Sequence, residues 1–112
     1  MIGEKVIERV ALHAYEIIDL GTFTAAGTGT SNELESCYAN FTWQVISDSS
    51  ATAHDVRLQG SIDNTNWFDL DQSNTTGSEM RHVVNKPVRY IRANVVSMGD
   101  ATSISVKVLS VR

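Results

Sequence analysis

Apolar and polar residues alternate strictly over the middle of the chain, between residues 55 and 70. One face of this segment carries Val56, Leu58, Gly60 and Ile62. A period of two residues is typical of a β-strand with one buried face. The sequence Asp63-Asn64-Thr65-Asn66 follows. Because these residue types bond to their own backbone and tolerate left-handed dihedral angles, we expect the tight turn of a hairpin there.

Two adjacent aromatic residues, Trp67 and Phe68, begin the second strand of this hairpin. Successive residues of a strand point to opposite faces. We therefore expect one of the pair to join Trp43 in the core and the other to face solvent or a partner. The hairpin should then carry much of the aromatic burial of the chain.

The same alternation recurs in three other segments, residues 38–46, 88–96 and 102–109, and a short strand is predicted at 81–84. The predicted inward residues of the three segments are Ala39, Phe41, Trp43, Val45, Ile91, Ala93, Val95, Ile104, Val106 and Val108. Tyr38 falls on the outward face of its segment. Seven or eight short strands at intervals of roughly 8–15 residues are typical of an antiparallel β-sandwich or jelly roll. We therefore predict an all-β fold with a single sandwich.

The first twenty residues allow two interpretations. A helical face could be formed by Ile7, Val10, Ala11, Ala14 and Ile18. The many β-branched residues favour instead an extended arm that becomes a strand around residues 15–20. We divide the chain into residues 1–20, an N-terminal arm or first strand, and residues 21–112, the sandwich domain. Within residues 21–32 we expect a short strand near Thr22–Ala25, then a flexible loop that is disordered or ordered by a partner.

Composition excludes several classes of function. The chain has 112 residues and a net charge of −4, and its nine basic residues are spread along it rather than gathered into a nucleic-acid footprint. Charged residues interrupt the N-terminal segment, so neither a secretory signal nor a membrane span is expected, and we place the protein in the cytoplasm or in an assembly made there. The single cysteine, Cys37, permits no internal disulfide and is expected to be a small, buried or semi-buried side chain.

The residues that could carry chemistry are scattered. His13, His54 and His82 lack the spacing of a zinc site and are expected at the surface or at strand edges. Asp63, Asp69 and Asp71 are expected to cap the turn and to lie at solvated strand ends rather than to bind calcium. The sequence shows no nucleophile–base pair. We therefore predict a protein that is not an enzyme and that needs neither a metal nor another cofactor.

Two motifs carry a resemblance to a known group of proteins. The run LQGSIDNTNWFDL is followed by KPVRYIRANV, and both resemble small β-sandwich proteins of tailed bacteriophages and prophages, in which "GS.D...W" precedes "K.VRY.R..V". The resemblance extends over residues 38–109. A weaker similarity joins the same motifs to discoidin-type sandwiches, although Asn64 stands where those domains usually have a glycine.

The phage resemblance implies a structural protein of the virion, above all a capsid decoration (cement) protein that binds the major capsid protein, with a homotrimer favoured. Partner contacts are expected at Val6, Ile7, Val10, Leu12, Tyr15, Trp67 and Phe68. The alternative is a tail or baseplate part, or a surface carbohydrate-binding module. Its sugar platform would be built from Trp43, Trp67, Phe68, Tyr38 and Tyr90. Neither nucleic acid nor a membrane is an expected partner.

Overall fold

The computed structural model describes residues 15–36 and 38–112, which form two antiparallel β-sheets packed face to face. The strands are β1 (Tyr15–Phe23), β2 (Gly27–Thr28), β3 (Asn32–Glu33), β4 (Asn40–Ser47), β5 (Asp55–Ser61), β6 (Phe68–Ser73), β7 (Glu79–Val83), β8 (Tyr90–Ser97) and β9 (Ile104–Val111). These ranges include no helix that is long and apolar enough to cross a membrane. The predicted all-β sandwich is confirmed.

The strand order is that of a jelly roll. Sheet A has the order β1-β9-β4-β7, and sheet B has the order β2-β8-β5-β6. The short strands β2 and β3 both pair with β8, at Val95–Asn94 and at Ile91–Tyr90 respectively, so together they act as one interrupted edge strand. With β2 and β3 counted as one, each sheet has four strands, and every consecutive pair of strands except the hairpin β5–β6 changes sheet, as in two joined Greek keys.

The core between the sheets comes from the alternating positions. The predicted inward residues Phe41, Trp43, Val45, Val56, Leu58, Ile91, Ala93, Val95, Ile104, Val106 and Val108 are all buried. They interdigitate as the inner faces of packed sheets do. The chain enters this core at β1 with Ile18 and Leu20, so the strand predicted around residues 15–20 is confirmed and extends to Phe23. The rest of the alternative helical face lies outside the described residues.

Two predicted orientations are wrong because each residue lies just outside the strand to which the alternation assigned it. Ile62 is 82% exposed, since β5 ends at Ser61 and Ile62 already belongs to the turn. Tyr38 is fully buried rather than outward, since β4 begins only at Asn40. Alternation assigns a face only where the backbone is extended on both sides of a residue.

Neither Trp67 nor Phe68 joins the core, which is a further correction. Phe68 is 70% exposed and Trp67 is half-buried outside sheet B. The pairing of β5 with β6 shifts register between Leu58 and Gln59, so that Asp71, and not Leu70, lies opposite Leu58. An extra residue of this kind is a β-bulge, and it reverses which faces the neighbouring side chains take. Aromatic burial therefore comes from Tyr38, Phe41 and Trp43.

The loop predicted within residues 21–32 is also wrong in part. Gly27 and Thr28 pair with β8, and the Gly29 amide donates to the Ala93 carbonyl at 2.8 Å. A side chain at Gly29 would approach the Leu20 carbonyl oxygen to 2.9 Å, so glycine is needed for this close passage. The segment is thus ordered by its own chain. Cys37 lies outside the described residues.

Candidate binding surfaces

The outer face of sheet A exposes large apolar side chains. Tyr15 and Ile17 on β1 and Met80 on β7 are each more than half exposed, and half-buried Leu109 on β9 lies between the two edges. We call these four residues the apolar band. Ile17 pairs with Leu109, and Leu109 pairs on its other side with Thr42. Met80 lies opposite Gln44, two residues along β4 from Thr42, so polar side chains of β4 separate it from the rest of the band.

A shallow depression of about 220 Å³ interrupts the apolar band. Ile17 and Met80 stand on opposite sides of it, and the rest of its lining is Thr42, Gln44, Lys107, Val108 and Leu109. Apolar patches with polar surroundings mark contact sites on soluble proteins more often than they arise by chance. The band is therefore a candidate surface for binding another protein.

The outer face of sheet B has the opposite character. Its planar polar side chains lie on three neighbouring strands, and we call them the polar face: Asp55, Arg57 and Gln59 on β5, Asp69 and Gln72 on β6, and Arg92 on β8. Arg57 donates to Asp69 at 3.0 Å and, with two nitrogens, to Asp55 at 3.2 and 3.3 Å. These hydrogen bonds raise the pKa of the Arg57 guanidinium.

Hydrogen bonds continue across the polar face in a row. Gln59 donates from Nε2 to Asp69 Oδ1 at 2.9 Å and accepts at Oε1 from Arg92 Nε at 2.9 Å. The Arg92 guanidinium also lies 4.2 Å from the centroid of the Trp67 ring, a cation–π contact. Burial lowers the pKa of Arg92, because desolvation disfavours the charged form.

The turn between β5 and β6 forms one wall of an open groove at the end of the sandwich. Its apolar lining is Ile62, Phe68, Leu70, Pro87 and Val88, and its volume is about 340 Å³. Asp63 holds the turn in place, since Oδ1 accepts from the backbone amides of Thr65 and Asn66 at 2.9 and 2.8 Å. These bonds hold the pKa of Asp63 well below its usual range. Asn64 has a φ of 61°, as the predicted turn required.

A second set of polar groups, partly buried, joins the two sheets. Asp71 on β6 accepts from the indole Nε1 of Trp43 on β4 at 2.9 Å. It also accepts from Nε and Nη2 of Arg81 on β7, at 2.9 and 3.1 Å. Burial raises the pKa of Asp71, but the hydrogen bonds from Arg81 and Trp43 outweigh it, so the net shift is downward. Asp71 is thus a link between sheets, not the solvated strand end that we predicted.

His54, Ser73 and Glu79 have the composition of a catalytic triad, but their hydrogen bonds serve the packing of the protein. His54 Nε2 lies 2.8 Å from Ser73 Oγ, which donates to Glu79 Oε2 at 2.7 Å. Ser73 is fully buried and His54 is 1% exposed, so no substrate reaches this hydroxyl. The prediction that His54 lies at the surface is wrong, whereas His82 is exposed and lies 3.0 Å from Thr42 Oγ1.

The residues predicted to contact partners do not converge on one place. Tyr15 belongs to the apolar band, Trp67 lies beside the polar face, and Phe68 lines the end groove. Val6, Ile7, Val10 and Leu12 lie outside the described residues, as does His13.

The residues of the predicted sugar platform do not form one surface either, because Tyr38 and Trp43 are buried. Sequence reasoning missed the polar face, although the alternation Asp55, Arg57, Gln59 was visible as the outward set of β5.

The residues of types that could bind a metal ion are spread apart in the part of the chain that the structure covers. In residues 15–36 and 38–112 no three His, Cys, Asp or Glu side chains are grouped so that they could hold a metal ion. The three aspartates of the hairpin are separated by their own partners: the turn backbone for Asp63, Arg57 and Gln59 for Asp69, and Trp43 and Arg81 for Asp71.

Comparison with known proteins finds likeness in structure only. No family model matches the chain, and no curated protein matches it. Among solved structures, the SPBc2 prophage-derived protein YomS is similar with a TM-score of 0.68 and 14% identity, over 88% of this chain and 93% of that one.

Two further structures show how widely the fold is used. The PBSX exported protein XepA is similar with a TM-score of 0.55 and 12% identity, over 86% of this chain and 36% of that one. CBM32-3, from a family 31 glycoside hydrolase of Clostridium perfringens, has a TM-score of 0.54 and 14% identity, over 86% of this chain and 75% of that one. At such identities the comparisons show that the chain has the β-sandwich fold of phage-derived proteins and carbohydrate-binding modules.

Proposed function

We propose that this protein is a non-enzymatic structural component of a tailed-phage particle, and that it decorates the capsid by binding the major capsid protein. The observation that carries the proposal is the apolar band on sheet A, where Ile17 is 68% exposed and Met80 59% exposed. Leaving such side chains in water is unfavourable by about 25 cal/mol for each Å² of apolar surface. A permanent neighbour in a particle would remove that penalty.

Two features support a particle over other assemblies. The sequence motifs resemble those of phage β-sandwich proteins, and the fold is shared with a prophage-derived protein over nearly all of that protein's length. Interior groups such as His54, Ser73 and Glu79 are arranged for packing rather than for access by a substrate. In this proposal the protein is assembled in the host cytoplasm and resides in the virion.

The N-terminal residues belong to the same proposed contact. Leu12 lies three positions before Tyr15 in the sequence, and Val6, Ile7 and Val10 precede it. These apolar residues would extend the contact that begins at the apolar band. A homotrimer is the favoured state, because closed symmetric assemblies are usual for such parts and a capsid offers three-fold positions.

The experiment replaces Ile17 and Met80 by glutamate, singly, and measures retention on capsids that have been stripped of the protein. We expect each variant to melt like the wild type, because both side chains are exposed, and to lose at least tenfold in retention. The matched control is Val96→Glu, an equally apolar, 46% exposed position on sheet B. Light scattering of the free protein tests the trimer.

Full retention of both band variants would refute this surface as the capsid contact. Failure of the wild-type protein to bind stripped capsids, while it binds purified tails or baseplates, would refute capsid decoration and favour the tail role. A monomer by light scattering would refute the trimer.

A second candidate function is carbohydrate binding, and it requires a different surface. Sugars are recognised by aromatic rings beside a few fixed polar groups, not by aliphatic side chains. The polar face of sheet B with Trp67 has that composition. A particle component could use both surfaces at once, since they lie on opposite sides of the sandwich.

A further inference from the structure

We propose that the polar face of sheet B, together with Trp67, is a binding site for neutral oligosaccharides. This proposal rests on the second candidate function and is independent of capsid attachment. Its basis is a set of hydrogen-bonding groups whose positions are fixed before any ligand arrives, beside an aromatic ring that remains partly accessible.

The first argument is the balance of charge. The polar face carries two arginines, Arg57 and Arg92, and two aspartates, Asp55 and Asp69, so its formal charge is zero. Arg57 bridges the two carboxylates. A phosphate or carboxylate ligand would have to compete with these aspartates. A sugar hydroxyl has no such conflict, because it can donate to a carboxylate and accept from a guanidinium at the same time.

The second argument is the spacing of donors and acceptors. Gln59 lies between Arg92 on one neighbouring strand and Asp69 on the other. Adjacent strands are about 4.8 Å apart, so donors and acceptors repeat across the face at a distance comparable to the width of a sugar ring. Gln59 is itself buried and both ends of its amide are bonded, so it holds the less buried Arg92 and Asp69 in place, and these two can meet hydroxyls on both sides of one ring.

The third argument is the aromatic edge of the site. The Arg92 guanidinium contacts the Trp67 ring, with 4.2 Å to the centroid, and fixes its orientation. The side chain of Trp67 is nevertheless only half-buried. An indole next to fixed polar groups matches a pyranose, which has a face of C–H bonds and a rim of hydroxyls.

The fourth argument is that this network is poorly explained by stability. The side chains of Arg57 and Asp69 are 33% and 41% exposed, and ion pairs that are so open to solvent contribute little to the stability of a fold. Holding six side chains in fixed rotamers costs conformational entropy. The same order is useful in a binding site, because a preorganised site loses less entropy when the ligand binds.

The test measures binding of cellotetraose, maltotetraose and chitotetraose, with tetragalacturonate as an acidic probe, by NMR titration of the full chain. We expect at least one neutral tetrasaccharide to shift amide resonances of β5, β6 and β8. Trp67→Ala should weaken that binding at least tenfold. Phe68→Ala is the matched control, since it removes the neighbouring aromatic side chain, which faces the end groove instead. Asp69→Asn gives a second loss variant should Trp67→Ala not fold.

Binding of no probe, binding of tetragalacturonate alone, or a loss with Phe68→Ala equal to that with Trp67→Ala would each overturn the proposal. Capsid retention of Trp67→Ala separates the two functions. A variant that stays on capsids but loses the sugar would support the glycan site whatever the particle role, and a variant that loses both would overturn the independence of the two surfaces.

Discussion

At the scale of single residues, Asp71 is the charged side chain that joins the two sheets. It lies on sheet B but takes both of its partners, Trp43 and Arg81, from sheet A. The Trp43 indole is fully buried, so its N–H depends on this carboxylate for a hydrogen bond. A buried donor without an acceptor is more costly than a hydrogen bond is favourable.

Asp71→Asn should therefore destabilise the protein clearly. An amide can accept only through one oxygen, and its NH2 group would face the donors of Arg81. We expect a loss of about 2 kcal/mol in the free energy of unfolding, measured by urea denaturation. The control is Asp69→Asn, whose exposed pair with Arg57 predicts a loss below about 1 kcal/mol. Equal losses for the two variants would contradict this account.

His54 is the residue that couples stability to mildly acidic pH. Ser73 Oγ gives its single proton to Glu79, so the hydrogen bond between Ser73 and His54 requires a donated proton from His54 Nε2. Its Nδ1 is buried and lacks a hydrogen-bond partner among the described groups. Burial lowers the pKa of His54, against the opposing charges of Glu79 and Asp55.

The sign of the pH effect follows from this lowered pKa. Below about pH 6.5 the unfolded chain binds a proton at His54 that the folded chain does not, so stability falls as the pH drops toward the folded-state pKa. We expect the melting temperature to decrease from pH 7.5 to pH 5, and His54→Gln to flatten that decrease, since glutamine keeps a donor for Ser73. The exposed His82→Gln serves as control and should keep the slope. An unchanged slope in His54→Gln would refute the assignment.

At the scale of elements, the packing of the hairpin against the loop before β8 depends on one absent side chain. A Cβ atom on Gly60 would lie 2.6 Å from Val88 Cγ1 and 3.0 Å from Leu70 Cδ1. Glycine on β5 therefore lets Val88 close over the strand, and it shapes the floor of the end groove.

Gly60→Ala should overpack this contact. We expect a loss of about 1–3 kcal/mol in the free energy of unfolding, as for other small-to-large changes at packed sites. The double variant Gly60→Ala/Val88→Ala should be more stable than the sum of the two single changes predicts, because the second change removes the clash. Additive effects in urea denaturation would show that Val88 is not the obstacle.

At the scale of the whole molecule, the sandwich separates two surfaces of different chemistry. Sheet A presents the apolar band and sheet B the polar face, and the core holds them apart. Since the two faces share no side chains, changes on one should add to changes on the other without coupling.

We therefore expect that each of the two binding activities can be lost without the other. Met80→Glu should lose capsid retention and keep tetrasaccharide binding, whereas Trp67→Ala should do the reverse. Retention is measured by co-sedimentation and sugar binding by NMR titration, both on proteins with unchanged melting temperatures. A single variant that abolishes both activities while still folded would contradict the separation of the faces.

A structural feature of this protein could be predicted from the sequence only where the residues that interact to form it lie close together along the chain. The alternation in β4, β5, β8 and β9 was sufficient to predict their buried faces, because that pattern depends on residues two positions apart. The turn at Asp63–Asn66 was predictable for the same reason, as its hydrogen bonds span two or three residues. The bulge at Leu70 was not, because a register shift is set by the partner strand.

Sequence alone was thus sufficient for the fold class, the longer strands from β4 onward and most of the core, since extended backbone and burial leave a local period in the chain. Tertiary structure alone decided that Asp71 would meet Trp43, 28 positions away, and that His54 would be buried against Ser73, 19 positions away. It also decided which outward residues would share a face, bringing Arg57, Asp69 and Arg92 together from three strands. Contacts between strands, within a sheet or between sheets, leave no periodic pattern in a single strand, so the candidate sites depend on how the strands pair.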